Sequence, residues 1–351
     1  MSKARSVALV LTLVAGASLY ACSSDTSTSN GSNTDAGRSG SSGTSGESGT
    51  SGSSGSAGSS GTSGATDSGN DMGTGNIDSG KDAGSSGSSG SSGTTDARPS
   101  SQTHCEANPS QCGYPDATNT GVPAGTSLTI VNGDMTISST GAVVEDKDIR
   151  GCVTVTAPGV TIRRSKITCD GIGTIRTTDA AAAPGAARLL IEDVELVNGG
   201  NTTAMGSDNM TARRVYSHGG ENGADFSSDV TIEDSFITGI VEVNGGHGDG
   251  IQISAPAANI LINHNTIFGH HVTSAVNWTD PTVGMTVQNN LLAGGSYALY
   301  CPRVAVPDGA FQTLDNRFGT YTFGHTNSCG NTGQVFTGNY SDVDLSPILP
   351  E

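Results

Sequence analysis

Thr161-Ile162-Arg163-Arg164-Ser165-Lys166-Ile167 decides the fold, because its pattern returns along the second half of the chain. Copies stand at Leu190 to Leu196, Thr231 to Ile237, Leu261 to Ile267, Thr286 to Leu292 and, more loosely, Gln312 to Phe318. A degenerate copy covers Thr211 to Ser217, and one from Val144 to Ile149 lacks the leading Thr. The residues at the Ile162 place are 144, 162, 191, 212, 232, 262, 287 and 313. Repeats of this length, rich in β-branched residues and punctuated by Gly and Asn without a helical period, predict coils of a parallel β-helix. About eight or nine coils fit between Ser127 and Tyr340, making a solenoid about 40 Å long.

In this register the Ile162 and Ile167 places face the core as aliphatic stacks. The Ser165 place becomes Asn265, Asn290 and Asn316 in later coils. Asn tolerates left-handed turns and bonds local backbone, so these residues predict a hydrogen-bonded ladder. The places of Arg163 and Arg164 give an internal test. They hold Glu145 and Asp146 one coil earlier, then Glu192 and Asp193, Arg213 and Arg214, and Glu233 and Asp234 in the coils that follow. Alternating signs put each charge between partners and penalise a slipped register. This reading gives those arginines a structural occupation.

The front third reads as an address and a tether. Lys3 and Arg5 precede an apolar run from Val7 to about Leu19, too short to span a bilayer and typical of an export signal over residues 1–21. Leu19-Tyr20-Ala21-Cys22 resembles the lipobox of bacterial lipoproteins, with an unusual Tyr at its second place. The resemblance implies lipidation of Cys22, a lipid membrane as partner, and delivery to the outer membrane with the protein exposed to the periplasm or the cell exterior. Residues 22–104 hold the lipidated Cys and a Ser, Gly and Thr linker with almost no apolar side chains. Such a segment cannot offset its ordering entropy, and is expected to be a disordered coil of about 50 Å reach. Residues 105–351 are then the β-helix domain, with a short disulfide-bearing N-terminal cap.

A net charge of −17 argues against nucleic acid as a partner. Apart from Cys22, six cysteines remain, an even number that suits an oxidising compartment. Ile149 and Ile167 occupy equivalent places, so Cys152 and Cys169 are expected neighbours. Cys105 with Cys112 and Cys301 with Cys329 complete the set. The domain is expected to be a monomer.

Gly245-Gly246-His247-Gly248-Asp249-Gly250-Ile251-Gln252-Ile253 is the densest candidate for chemistry. Its glycines allow sharp bends and close approach of a ligand. Ile251 and Ile253 are expected to point inward and Gln252 outward. Alignment on the aliphatic residues stacks Asp225, Gln252, Asn277 and Tyr300 in one exposed column, with Asn222, Asp249 and Ser274 in a second. His218, Glu221, His270 and His271 are expected in loops leading to this face, and Arg303 follows Tyr300. Such a stripe suits an extended, hydroxyl-rich ligand. His247 and Asp249 offer acid–base catalysis, assisted by Asp225 or Glu221, while Gln252, Asn277, Tyr300, Arg303, His218 and His271 would bind substrate. In a purely structural reading, Asp249-Gly250 is a corner and the stripe an ordinary solvated face. Trp278 aligns with Ile253 and is expected in the core.

The coil pattern with this glycine-rich strand resembles the pectin-lyase-like right-handed parallel β-helices. More closely, it resembles exported bacterial β-helix proteins that contain Asn119-Thr120-Gly121-Val122-Pro123-Ala124-Gly125-Thr126 and a His-x-Asp-Gly-Ile-Gln strand. The resemblance spans about residues 113 to 340. It implies an extracellular polysaccharide, acidic or neutral, as partner, and a lyase or glycosidase, or else a non-catalytic carbohydrate-binding or adhesion module. Gly246-His247-Gly248 is similar to the polygalacturonase-type hydrolases, but their paired Asp-Asp and Arg-Ile-Lys segments are missing. Inverting hydrolysis would pair Asp249 with Asp225 or Glu221. A lyase would need Ca²⁺ and a base such as His247 or Arg303, because Lys147 and Lys166 lie on the charge-ladder side. No intrinsic metal site is expected, and no cofactor unless the protein is a Ca²⁺-dependent lyase.

Overall fold

The residues at the Ile162 place pair coil by coil as the repeat demands. Val144 pairs with Ile162, Ile162 with Ile191, Ile191 with Ala212, Ala212 with Ile232 and Ile232 with Ile262, then Val287, Thr313 and Phe336 follow in turn. These pairings come from a computed structural model that describes residues 103–351 apart from 201, 244 and 279–281. The expected export signal, Cys22 and the linker through residue 102 lie outside the described residues. Every pairing between named strands is parallel, and the chain winds as a right-handed parallel β-helix.

One wall is a ten-stranded sheet, running from Thr129–Asn132 through Lys166–Cys169 and Tyr216–Gly219 to Tyr340–Ser341. It has ten rungs, against the eight or nine coils expected: the eight copies of the repeat supply eight, and Thr129–Asn132 before them and Tyr340–Ser341 after them supply the other two. The other two walls belong to one sixteen-stranded sheet bent along its length. Asn222–Glu233 and Asp249–Asn263 each run through the bend, and the register between them shifts from Phe226 to Ser228. The Ile162 column lies on the ladder wall. The strands Gly173–Thr177, Thr203–Gly206, Ser274–Trp278 and Tyr297–Tyr300 lie on the other, here termed the groove wall.

Both edges of the ladder wall turn on left-handed residues. One edge carries Asn209, Asp229, Asn259, Gly284 and Gly309, all with φ between 53° and 78°. The other carries Asp146, Arg164, Asp193, Arg214, Asp234, His264, Asn289 and Asp315, with φ between 45° and 56°. The second residue of each charge pair is therefore a corner residue rather than a second outward strand position. Arg is a poor left-handed residue; here Arg164 bonds Asp146 and Glu145 at 2.8 Å, and Arg214 bonds Asp193 at 2.6 Å and Glu192 at 2.9 Å. Arg163 reaches Glu145 at 2.6 Å, and Arg213 lies between Glu233 at 2.5 Å and Glu192 at 3.6 Å. The charges alternate as expected, but the ion pairs fall into two groups. Arg163 and Glu192 are backbone partners, yet among the described residues no ion pair joins Arg163 or Arg164 to Glu192 or Asp193. His264 extends the second group by donating to Asp234 at 2.6 Å.

The Asn ladder is also present, with a fourth member. Asn290 Oδ1 accepts from Asn265 N and Nδ2, Asn316 Oδ1 accepts from Asn290, and Asn339 Oδ1 from Asn316. Its reason differs from the one expected. These amides are buried and their residues are not left-handed, since the residue before each makes the turn. They satisfy backbone groups that a turn would otherwise leave unpaired inside the core.

The segment before the first strand straps the outside of the ten-stranded sheet. The Asp342 carboxylate accepts from the Cys105 and Glu106 amides and pairs with the buried Arg317 at 2.7 Å. Glu106 accepts from His270, His264 donates to the Gly113 carbonyl, and the Gly121 amide bonds Arg214 O. The strap thus meets coils near the end of the chain first and earlier coils later. Beneath it, Cys105, Tyr114, Phe268, Leu291 and Ala293 form a second small core.

The three disulfides join Cys105–Cys112, Cys152–Cys169 and Cys301–Cys329, as expected, and fit an oxidising compartment. No described helix is long and apolar enough to cross a membrane. Trp278 is fully buried, as its alignment requires.

Candidate functional site

On the groove wall the pairing joins Thr136, Thr154, Arg176, Gly206, Asp225, Gln252 and Asn277 in one column. Val276 pairs with Leu299 and Tyr300 with Asn327, which carries the column onward. A second column joins Asn222, Asp249 and Ser274. Both expected stacks are therefore real neighbours.

Strict alternation would turn Asp249 inward with Ile251, but its partners lie outward. Gly223 and Gly250 explain this: a Cβ there would come within 2.3 Å of Ile237 and 2.4 Å of Ile267, so these glycines face the core. The residue before each then faces out, and the strand changes phase before Ala224 and Ile251. Asp249 is nevertheless 0% exposed. Ser274 Oγ donates to its Oδ1 at 2.5 Å and Asn277 Nδ2 to its Oδ2 at 3.1 Å, while its own amide donates to Asn222 Oδ1 at 3.0 Å. Asn222 Nδ2 in turn donates to Gln252. Burial pushes the Asp249 carboxyl above the ordinary aspartate range, against the bonds from Ser274 and Asn277. Burial raises Asp225 as well, opposed by Ser254 Oγ and reinforced by the charge of Asp208.

The Gly245–Gly248 loop brings His247 and Glu221 to this place. A Cβ on Gly246 would lie 2.4 Å from Glu221 Oε1, and the Asp249 amide bonds Glu221 O. His247 is exposed, and its Nδ1 bonds Thr273 Oγ1 at 3.1 Å rather than Asp249. At the other end, Arg176, Gly206, Asp208 and Asp225 line a cavity of about 360 Å³ closed on one side by the short helix Asp179–Ala182. Arg176 and Asp208 were not singled out from the sequence. The signal was present, since Ile175 stacks between Val153 and Met205 and so places Arg176 outward.

Other expected residues lie elsewhere. His218 is on the ten-stranded sheet, stacked on Tyr216 and bonded to Glu195, whose carboxyl it holds down to about 2 together with Lys166. Expected in a loop leading to this face, it lies instead in the strand Tyr216–Gly219, one corner before the groove wall begins. His270 belongs to the strap contact with Glu106. His271 is an exposed left-handed turn residue beside Gly294, Gly295 and Tyr321. Arg303 is exposed in the loop after Tyr300 and close enough to act on its charge.

Fold and site together define a right-handed parallel β-helix with a polar column along one wall and a cavity at the Arg176 end of it. Neither a protein-family model nor a curated protein matches the chain. Among solved structures it is similar to QnrB1, a plasmid-mediated fluoroquinolone resistance protein, at 11% identity over 60% of this chain and 92% of that one, with a TM-score of 0.34. It is also similar to the A-module of the Azotobacter vinelandii mannuronan C-5 epimerase AlgE6, at 15% identity over 61% and 72% respectively, with a TM-score of 0.33.

Proposed function

We propose that the groove wall binds an extracellular polysaccharide lengthwise and hydrolyses it, with Asp249 as the proton donor. The observation that carries this reading is the enclosed Asp249 carboxyl, raised by burial and held by Asn277 of the exposed column. A carboxyl in that state keeps its proton further toward neutral pH, as a general acid must. It would protonate the glycosidic oxygen as the bond to the anomeric carbon breaks. Water would attack that carbon and give its proton to a second carboxylate, Asp225 or Glu221. His247, two residues before Asp249 and close enough to act on its charge, would contact the sugar. Gln252 and Asn277 would bind hydroxyls.

The lyase form of the reading would use His247 or Arg303 as base, with Ca²⁺. Among the described residues no three His, Cys, Asp or Glu side chains converge as a metal site. Asp249 and Asp225 are already engaged by Ser274, Asn277 and Ser254. The donor set does not fit Ca²⁺.

A second reading, binding without catalysis, is favoured by the enclosure of Asp249, which has no exposed surface and is held by Ser274 and Asn277. Lipidation at Cys22, an outer-membrane address, the tether and a monomeric state belong to the same proposal and rest on the sequence.

The test is incubation of the full chain with neutral glycans and polyuronates, following reducing ends and unsaturated-product absorbance. New reducing ends that vanish with Asp249→Asn support hydrolysis. Retention on a glycan without product supports the binding reading, and neither product nor retention sinks both.

A further inference from the structure

Beyond Asn277 the groove changes from amides to aromatic rings. Because Val276 pairs with Leu299, Tyr300 stands beside Asn277, and Tyr297 beside Ser274 in the Asp249 column. The rings of Tyr297 and Tyr300 meet edge-on at 5.3 Å, and Phe323 lies 6.1 Å from Tyr297. Phe323 is 69% exposed, yet its position is built: its amide bonds Ser296 O, and that of Thr322 bonds Gly295 O. Gly324 gives the Tyr297 ring its room, since a Cβ there would lie 2.9 Å from Tyr297 Cε1.

Aromatic residues make up only 4% of this chain, so three adjoining rings at the end of a polar column need an account. No core contact calls for Phe323 to face water, and exposed apolar patches rimmed by polar groups mark binding surfaces. A pyranose presents an apolar face of C–H bonds and a rim of hydroxyls. Rings take the face, while Asn277 and Asn327 on either side of Tyr300 take the rim. The charge of the groove narrows the sugar further. Asp179, Asp208 and Asp225 line its far end with Arg176, and Arg303 stands near Tyr300 at the other, so carboxylates outnumber cations along the wall and disfavour a polyanion.

We infer that Tyr297, Tyr300 and Phe323 form an aromatic platform that stacks the sugar rings of a neutral glycan strand running on from the Gln252–Asn277 stretch. This inference rests on the polysaccharide reading of the groove. The strand would run from Arg176 to Asn327 over about 30 Å, seven rungs separated by six spacings of about 4.8 Å, which calls for a chain of several sugars.

The test is titration calorimetry of the full chain with cellohexaose, xylohexaose, mannohexaose, chitohexaose and hexagalacturonate. Variants are Phe323→Ala, Tyr297→Ala and Gln252→Ala, with Tyr321→Ala as the control, since Tyr321 is an exposed ring that contacts His325 instead. At least one neutral hexaose should bind more tightly than hexagalacturonate. Phe323→Ala and Tyr297→Ala should each weaken it about tenfold, about 1.4 kcal/mol, and Tyr321→Ala should not. Because Phe323 is exposed, its variant stays informative even if Tyr297→Ala fails to fold. Weakening by Gln252→Ala but not by Phe323→Ala overturns the platform and leaves the groove reading standing. Tighter binding of hexagalacturonate overturns the neutral class, and no binding by any hexaose removes both.

Discussion

Asn277 Nδ2 donates to Asp249 Oδ2 at 3.1 Å across neighbouring coils, so a residue of the exposed column holds the most enclosed carboxyl on the groove wall. A ligand that displaces or reorients Asn277 therefore acts on the protonation of Asp249 without touching it. Asn277 Oδ1 has no partner of its own among the described residues. The amide is thus oriented by Asp249 alone.

Asp249→Asn separates chemistry from fold. If Asp249 is the proton donor, turnover should fall by at least about 100-fold. Stability should move the other way. The folded carboxyl is raised above its ordinary value of 3.8, so its contribution is intact below about pH 3.8 and is lost as pH rises through the folded value. Thermal melts should show the Asn variant more stable than the parent at pH 7, by about 2 °C or more, with the gain gone near pH 3. A variant less stable at both pH values would mean that the bonds from Ser274 and Asn277 outweigh burial.

Asn289 and Asn290 are adjacent in the chain but do different work, and substitution should expose it. Asn290 bridges Asn265, Ile262 O and Asn316 inside the core. Asn290→Ala leaves several buried groups unpaired and should cost about 3 kcal/mol or more, measured by urea denaturation. Asn289 makes the left-handed corner at φ 55°, where Gly has no steric penalty. Asn289→Gly should stay within about 1 kcal/mol of the parent.

The repeat made the ladder wall legible, because each aliphatic residue stacks on its own copy and a slip of one residue would turn the whole set outward. The groove columns followed from the same alignment, which is how Asp225, Gln252 and Asn277 were placed together. What escaped the sequence is local. Arg164 and Arg214 give no sign of a left-handed corner, since only their charge partners hold them there. The strap from Cys105 to Tyr114 has no repeat partner, and its docking on Asp342 and His264 joins residues more than a hundred positions apart. His218, expected in a loop, belongs to the strand Tyr216–Gly219 of the ten-stranded sheet, and the register of Ser217 alone does not mark where that strand ends. Phe323 sits in an irregular turn that no periodicity marks.

Charge reversal at the corner should report on the ladder. Arg214→Glu places a carboxylate against Glu192 and Asp193, whereas Arg214→Gln only removes the attraction. Each pair is worth about 0.2–1 kcal/mol at this exposure, so the reversal should lower the melting temperature by about 2–6 °C and the Gln variant by less. In about 1 M salt, where screening acts within about 3 Å, the two variants should converge. Persistence of the gap at high salt would show that the cost is steric, at a left-handed Arg site, and not electrostatic.

His264 links the corner to the strap, and it should make the strap sensitive to pH. Its Nδ1 donates to Asp234 at 2.6 Å and its Nε2 to the Gly113 carbonyl at 3.0 Å, so both ring nitrogens face acceptors and the imidazolium satisfies both. The bond to Asp234 raises its pKa above 6.5, with burial opposing and the Gly113 carbonyl assisting. A raised folded value means that the stabilisation is complete below about pH 6.5 and is lost as pH rises through the folded value. Hydrogen exchange at Tyr114 and its neighbours should therefore quicken as pH climbs past that point, once corrected for the intrinsic rate. His264→Gln should remove this step and leave the strap weakly held at all pH values. Tyr114 also stacks on His264 at 5.9 Å, so its ring resonances would follow the same titration. A strap whose protection tracks Glu106 and His270 instead, while ignoring His264, would place the clasp at the Asp342 end.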